Sequence, residues 1–177
     1  MTASSAVVRR DALLAELDLQ RAAFRAAFAD VDPALATTPG IVEAWSARDL
    51  VAHVAFWSDH GADALGLASG GRGAEFDYDT ARTDAMNADV FRQAADLSPG
   101  EAADREAAAW ERFRTALAAL DPALLDLVLG NGHSVEQVIR YDGPDHYAEH
   151  TAHLRAWFTG EPEPDDEAQV TPKRGDP

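Results

Sequence analysis

Four separated segments of this sequence carry apolar residues at the spacing of an α-helix, and no two segments alternate in the manner of paired strands. In the first segment, residues 6–29, the apolar stripe includes Leu14, Leu17 and Phe24. The other segments start near residues 47, 99 and 144. Because an amphipathic helix buries its apolar stripe against another element, the pattern predicts an all-α fold built on a four-helix bundle.

The length of 177 residues suits one domain with a core of its own, and we predict that residues 1–160 form it. From residue 161 onward the sequence is rich in Glu, Asp and Pro, which predicts a disordered tail over 161–177. The first residues lack the apolar core of a signal peptide, and no stretch approaches the roughly 18 apolar residues of a membrane span. We therefore expect a cytoplasmic protein without a membrane partner.

The charge and the cysteine content exclude two classes of function. A net charge of −16 at pH 7 repels the phosphate backbone, and we find no basic stripe with interleaved aromatic residues, so we do not expect nucleic-acid binding. The sequence contains no cysteine, which excludes a disulfide framework, a thiolate metal site and a catalytic cysteine. Any thiol chemistry must therefore use a thiol that binds from outside.

The second predicted helix has a clear start signal, and an unusually long connection follows it. Ser46 precedes the helical run and Asp49 lies three residues later, which is close to a capping box. The connection, residues 66–97, is rich in Gly and Asp and largely aperiodic, apart from a short helical pattern around 85–95. Long connections are uncommon in compact domains, but a bundle whose second and third helices are parallel requires one here.

The other two helices are bounded by residues that favour helix ends. Ser98 caps a predicted helix over 99–120, and the last predicted helix covers 144–158, before Gly160. Between these helices, residues 123–140 show only one or two short turns.

The histidines of the second and fourth helices form the most informative pattern. His53 lies on the edge of the second helix's apolar stripe, and His146 and His150 lie one turn apart on the fourth helix. One helix commonly supplies two imidazoles to a metal at this spacing, and a facing helix can add a third and leave positions open for substrate. We therefore predict a divalent metal centre. A single histidine is more often a hydrogen-bonded packing residue, and we place His60 and His133 in that class.

His153 offers a different choice of ligands, because it lies one turn from His150. His146 and His153 are two turns apart, roughly 10.5 Å by helix rise, so they do not easily share one ion. The set of His53, His150 and His153 therefore stays open beside the first set.

The segment HYAEH also matches the inverted zinc-protease pattern, in which Glu149 would be the general base. That class is built on a much larger α+β chain with a further glutamate ligand, and nothing in this sequence supplies the sheet. We therefore do not expect a protease, and Glu149 stays a candidate for acid-base chemistry.

The long connection contains apolar residues that a solvated linker does not need, among them Phe76 and Phe91. We predict that residues 77–91 form a wall or lid of the metal pocket, or a dimer contact. Arg82 and Arg92 would then offer positive charge to an acidic substrate or a thiol cofactor, although solvated surface arginines are the commoner case.

Two motifs resemble those of a known superfamily. AWSARDLVAHVAFW resembles the second-helix motif, and DHYAEHTAHLRAWF the fourth-helix motif, of the DinB-like (YfiT-like) superfamily, and the resemblance covers residues 6–159. That superfamily includes the thiol-dependent maleylpyruvate isomerase N-terminal domains and the colibactin self-resistance branch. The resemblance implies an up-down-down-up bundle, in agreement with the long connection, and a metal triad on His53, His146 and His150.

The resemblance also implies a reaction. A metal-dependent enzyme of this kind would transfer a low-molecular-weight thiol, such as mycothiol, bacillithiol or glutathione, to a small electrophilic substrate. Zinc and nickel both suit a site of three imidazoles. Trp57, one turn from His53, would contact substrate or thiol, and Asp145 and Glu149 would orient the imidazoles.

Other functions stay open at this stage. A self-resistance or sequestration protein would bind a small molecule in the same pocket without turnover, and a hydrolase would use metal-activated water. The isomerases carry an additional C-terminal domain with a substrate-binding arginine where this sequence has an acidic segment, so we do not expect maleylpyruvate isomerisation. Small bundles commonly dimerise, and a homodimer stays an open expectation.

Overall fold

The structure is a computed structural model that describes the backbone of residues 3–159 and the side chains of residues 5–158. Within that range the chain is helical, with two isolated β-bridges and no strand, which confirms the all-α prediction. The predicted tail over 161–177 lies outside the described residues. The α-helices are α1 (Ala3–Ala29), α2 (Ala47–Ser69), α3 (Thr80–Ala94), α4 (Pro99–Ala119), α5 (Val135–Asp142) and α6 (Pro144–Thr159), with short 3₁₀ helices at Gly73–Glu75 and Pro122–Asp126.

The helix α2 lies at the centre of the packing. It packs most extensively on α4, while α1 packs mainly on α6, and α3, α5 and α6 also contact α2. The core consists of apolar side chains from all of these helices, with Leu17, Leu50 and Phe113 at most 1% exposed. A histidine on α2 is therefore brought into the interior, where α6 can supply further ligands.

The start of α2 is fixed by the predicted capping box. The backbone N–H of Ser46 donates to Oδ2 of Asp49 at 2.9 Å, and the backbone N–H of Asp49 donates to Oγ of Ser46 at 3.4 Å. Both residues are buried. These bonds satisfy N–H groups that a helix start leaves without partners, so the register of α2 is set close to His53.

The connection between α2 and α4 is more helical than the sequence predicts. The pattern around 85–95 is part of the longer helix α3, which begins after Asp79, whose side chain accepts from the backbone N–H of Arg82 at 2.9 Å. In α3 only Val90 and Ala94 are fully buried. Its only large apolar residues are Met86, Val90 and Phe91, which leaves the first turn of the helix without a periodic signal.

The segment between α4 and α6 also holds more structure than predicted. The turns expected over 123–140 are a 3₁₀ helix at Pro122–Asp126 and the α-helix α5. A capping box between Ser134 and Gln137 starts α5. The S-x-x-Q signal is present in the sequence, but eight residues are too few for a helical period to stand out.

A buried polar network joins four helices. The carboxylate of Glu106 on α4 is 1% exposed, accepts from Arg21 of α1 at 2.8 Å and pairs with Arg25 at 3.3 Å. It also accepts from the hydroxyl of Tyr147 on α6 at 2.8 Å, and that hydroxyl lies 3.2 Å from Oγ of Ser58 on α2. The network therefore fixes α6 against the other three helices.

We expect α3 to resist proteolysis as well as the longer helices do, because it is packed on α2 rather than free. Trypsin cleavage after the exposed residues Arg82 and Arg92 is the measurement, with the same protein in denaturant as the control that both sites are cleavable. Protection that matches the rest of the chain supports a packed wall. Rapid cleavage at these two sites, unchanged by metal or thiol, would show a free linker instead.

None of the helices in the described range is long and apolar enough to cross a membrane.

Candidate metal centre

Three histidines from two helices converge at one place in the interior. The ring centroid of His53 on α2 lies 4.7 Å from that of His146 and 5.0 Å from that of His150, and the two α6 rings are 4.7 Å apart. One nitrogen of each ring lies within 4.8 Å of the others. Two nitrogens on one ion are separated by at most about 4 Å, so small rotations of the side chains suffice for a shared ion.

The cluster contains buried nitrogens without a hydrogen-bond partner. Of the four such side-chain atoms in the described part of the chain, Nδ1 of His53 and Nε2 of His146 belong to this cluster. A buried polar atom without a partner costs about 1–3 kcal/mol. A cation would satisfy these lone pairs, so the donor set fits a divalent metal ion.

The one-residue connection between α5 and α6, at Gly143, helps to orient His146. Nδ1 of His146 donates to the backbone carbonyl of Tyr141 at 3.1 Å, which leaves Nε2 with the lone pair. The chain reaches this geometry through Gly143, where an added Cβ would lie 2.6 Å from the carbonyl oxygen of Ile139 and 2.8 Å from Cε1 of Phe113. Only glycine fits this close approach.

Burial keeps the three imidazoles neutral. It is the main cause that lowers the pKa of His53 and of His150 well below the ordinary value, and the neighbouring His146 lowers both further. Burial also lowers the pKa of His146 to about 4, against a smaller opposing effect of the hydrogen bond to Tyr141. At pH 7 the histidines therefore carry the lone pairs that a metal requires.

Aromatic side chains surround the cluster. The Trp45 ring lies 4.9 Å from the His53 ring, and the Trp57 ring is stacked on the His146 ring at 6.1 Å. Both tryptophans also contact α3, since Trp45 lies 5.2 Å from Phe91 and Nε1 of Trp57 donates to Oδ1 of Asn87 at 3.1 Å. The helix α3 of the long connection therefore contacts two tryptophans whose rings lie against the histidines, while its predicted role as a wall, a lid or a dimer contact stays a prediction.

Of the three residues predicted to contact substrate or thiol, Trp57 lies beside the histidines, whereas Arg82 and Arg92 lie on the surface. Trp57 lies against the cluster, but its N–H is used by Asn87, so it offers an apolar face. Arg92 pairs with Asp89 and is 68% exposed at its side chain, and Arg82 is exposed. No contact described for either arginine reaches the three histidines, which agrees with the commoner role of solvated surface arginines.

The remaining predicted residues lie beside the cluster. Glu149 is half-buried, and its carboxylate lies within 4.8 Å of a nitrogen of His150 and of His153. Asp145 is exposed. Among the residues that sequence reasoning missed, Asn87 gives only a weak signal, and the Tyr141 carbonyl gives none, since every residue type has one.

Of the two histidines assigned to hydrogen-bonded packing, His60 has that role in the structure, whereas His133 is half-buried and makes a ring contact. Nδ1 of His60 lies 2.8 Å from the carboxylate of Asp142, and the His60 ring packs on Phe76 at 4.6 Å. Burial raises the pKa of the Asp142 carboxyl, against the opposing effect of His60. The ring of His133 lies 5.3 Å from that of Tyr141.

We expect metal affinity to stay nearly constant from pH 8 to pH 5.5 and to fall steeply only as the pH approaches about 4. Protons compete with the ion only where the folded imidazoles titrate, and the pKa of His146 is lowered to about 4. Competition with a chelator of known pH dependence measures this profile. A tenfold loss of affinity between pH 7 and pH 6 would indicate exposed histidines with ordinary pKa values.

One family model matches most of the chain. The model described as the mycothiol maleylpyruvate isomerase N-terminal domain matches residues 17–156. No curated protein and no solved structure matches the sequence.

Proposed function

The chain belongs to the mycothiol maleylpyruvate isomerase N-terminal domain family of the DinB-like superfamily, and from this premise we propose that it is a metal-dependent thiol transferase. In this proposal His53, His146 and His150 hold one divalent ion, zinc or nickel. The nucleophile would be a low-molecular-weight thiol, mycothiol or a relative of it, and the acceptor a small electrophilic substrate.

One observation carries the proposal. Three imidazoles converge, with His53 and His150 buried and His146 half-buried, and two of their buried nitrogens lack any hydrogen-bond partner. The family match supports the same conclusion, because the family is named for a mycothiol-dependent isomerase. Since the sequence has no cysteine, the thiol must come from solution.

A divalent ion, when bound, acts as a Lewis acid that lowers the pKa of a thiol beside it, so that the thiolate is present at neutral pH. The protein's own residues would hold the ion and orient its ligands. Neutral His53 and His150 keep lone pairs available, and the carbonyl of Tyr141 holds a proton on Nδ1 of His146. The rings of Trp45 and Trp57 shield one side of the cluster from water.

Two measurements test the proposal. In cobalt-substituted protein, addition of mycothiol or glutathione is expected to produce a thiolate-to-metal charge-transfer band. In zinc- or nickel-loaded protein, thiol consumption with a panel of small electrophiles is expected to require the metal and to be lost in His150→Ala. His133→Ala, which changes a histidine away from the cluster, is the matched control.

Other outcomes would favour the other functions. Ligand-induced thermal stabilisation without thiol consumption would contradict turnover and favour a sequestration protein. Metal-dependent cleavage of esters or amides in the absence of any thiol would favour a hydrolase.

A further inference from the structure

His153 contacts one member of the triad without belonging to it. Its Nδ1 lies 3.1 Å from Nδ1 of His150, which is a hydrogen-bond distance, and the two rings are 5.3 Å apart. His150 is 6% exposed, so water cannot easily replace this partner. The contact therefore affects which ring nitrogen of His150 carries the proton.

Two neutral imidazoles form this bond only if one nitrogen donates its proton and the other accepts it. When Nδ1 of His150 donates, its Nε2 keeps the lone pair that a metal requires. When His153 donates, the proton of His150 is on Nε2, which then has no lone pair to offer. The direction of one hydrogen bond thus decides whether Nε2 of His150 can ligate.

His146 shows the same principle with a simpler partner. The carbonyl of Tyr141 can only accept, so it holds the proton of His146 on Nδ1. In both α6 histidines of the triad, therefore, Nδ1 is used by a protein partner. Partners of this kind orient metal-binding histidines and fix the nitrogen that they present.

We propose that His153 is a positioning residue for the metal centre: it accepts the Nδ1–H of His150 and keeps Nε2 of His150 free for the ion. This inference rests on the proposed metal site. It gives different roles to the two histidines that lie one helical turn from His150: His146 would be a ligand, and His153 would orient one.

The experiment compares the zinc affinity of the wild type, His153→Ala and His153→Asn by chelator competition. We expect His153→Ala to weaken binding roughly 10- to 100-fold, as loss of a ligand's hydrogen-bond partner does elsewhere. Asparagine places its amide oxygen near the position of Nδ1, so His153→Asn is expected to restore most of the affinity. His133→Ala controls for the loss of a histidine, and thermal unfolding checks that each variant is folded.

A spectroscopic signature separates this role from a merely structural one. In zinc-loaded wild type, long-range ¹H–¹⁵N spectra are expected to show His150 with its proton on Nδ1 and its Nε2 shifted by the metal. The inference is overturned if His153→Ala binds zinc as tightly as the wild type, or if His153→Asn binds as weakly as His153→Ala.

Two further outcomes are distinct from these. If the wild type binds two zinc ions and His153→Ala binds one with unchanged affinity, then Glu149, His150 and His153 form a site of their own and the inference is wrong. If the wild type binds no metal, the proposed function fails together with the inference, whereas every other failure leaves the metal centre in place.

Discussion

Replacing His150 by alanine is expected to reduce metal affinity roughly 100- to 1,000-fold. A four-ligand zinc site contributes about 10–16 kcal/mol of binding free energy, so one ligand corresponds to about 2.5–4 kcal/mol. His150 is the residue common to both groups of side chains that could hold a metal ion, so its loss is expected to weaken binding whichever group is occupied. Chelator competition with zinc and nickel measures the effect.

The losses of metal affinity in alanine variants of the three α6 histidines identify the ligands. We expect His146→Ala to lose affinity by an amount similar to His150→Ala, and His153→Ala to lose less. Equal losses in His150→Ala and His153→Ala would contradict this assignment. Full binding by His146→Ala together with loss in His153→Ala would show that the ligands are His53, His150 and His153.

Replacing Glu106 by alanine is expected to lower the free energy of unfolding by about 3 kcal/mol. Removal of one partner from a buried ion pair costs about 3–5 kcal/mol, because the other partner is left without compensation. The lower end applies here, since the side chain of Arg25 is 46% exposed and that of Arg21 is 18% exposed. The hydroxyl of Tyr147, which is fully buried, loses its acceptor as well.

Urea unfolding of the metal-free protein measures this effect without a contribution from ligand binding. Glu111→Ala is the matched control, because Glu111 is exposed on the same helix and its loss should change the unfolding free energy by less than about 0.5 kcal/mol. Glu106→Gln, which keeps the side-chain volume and one acceptor, should lie between the two. A loss below about 1 kcal/mol in Glu106→Ala would show that the network does not join the helices energetically.

The part of the site that repeats at helical spacing is predictable from the sequence. His146 and His150 share a helix face because they are four residues apart, and the all-α fold and the capping box at Ser46 follow from equally local rules. His53 is a candidate from its place on the edge of the α2 stripe, and the resemblance of the two helix motifs implies the same residue. Nothing in the spacing alone decides between His146 and His153, because both are one turn from His150.

The parts that depend on tertiary contacts are not predictable in this way. Glu106 is an acidic residue in an Ala-rich helix, and nothing in the local sequence predicts that it is buried. Its partners Arg21 and Tyr147 lie on helices that are distant in the sequence. The Tyr141 carbonyl is a backbone group with no signature of its own. The long connection is packed through Trp57 and Asn87, a contact between residues whose types suggest no pairing.

The most direct test of the account is the metal content of protein purified without a His-tag. Elemental analysis after exposure to zinc, nickel, manganese and iron in turn, followed by removal of excess ion, gives the number of ions per chain. We predict close to one ion of zinc or nickel for each chain, because the imidazoles of His53 and His146, which converge with that of His150, otherwise each keep a buried nitrogen that has no partner. A content below about one-tenth of an ion per chain for every metal offered would contradict the metal centre.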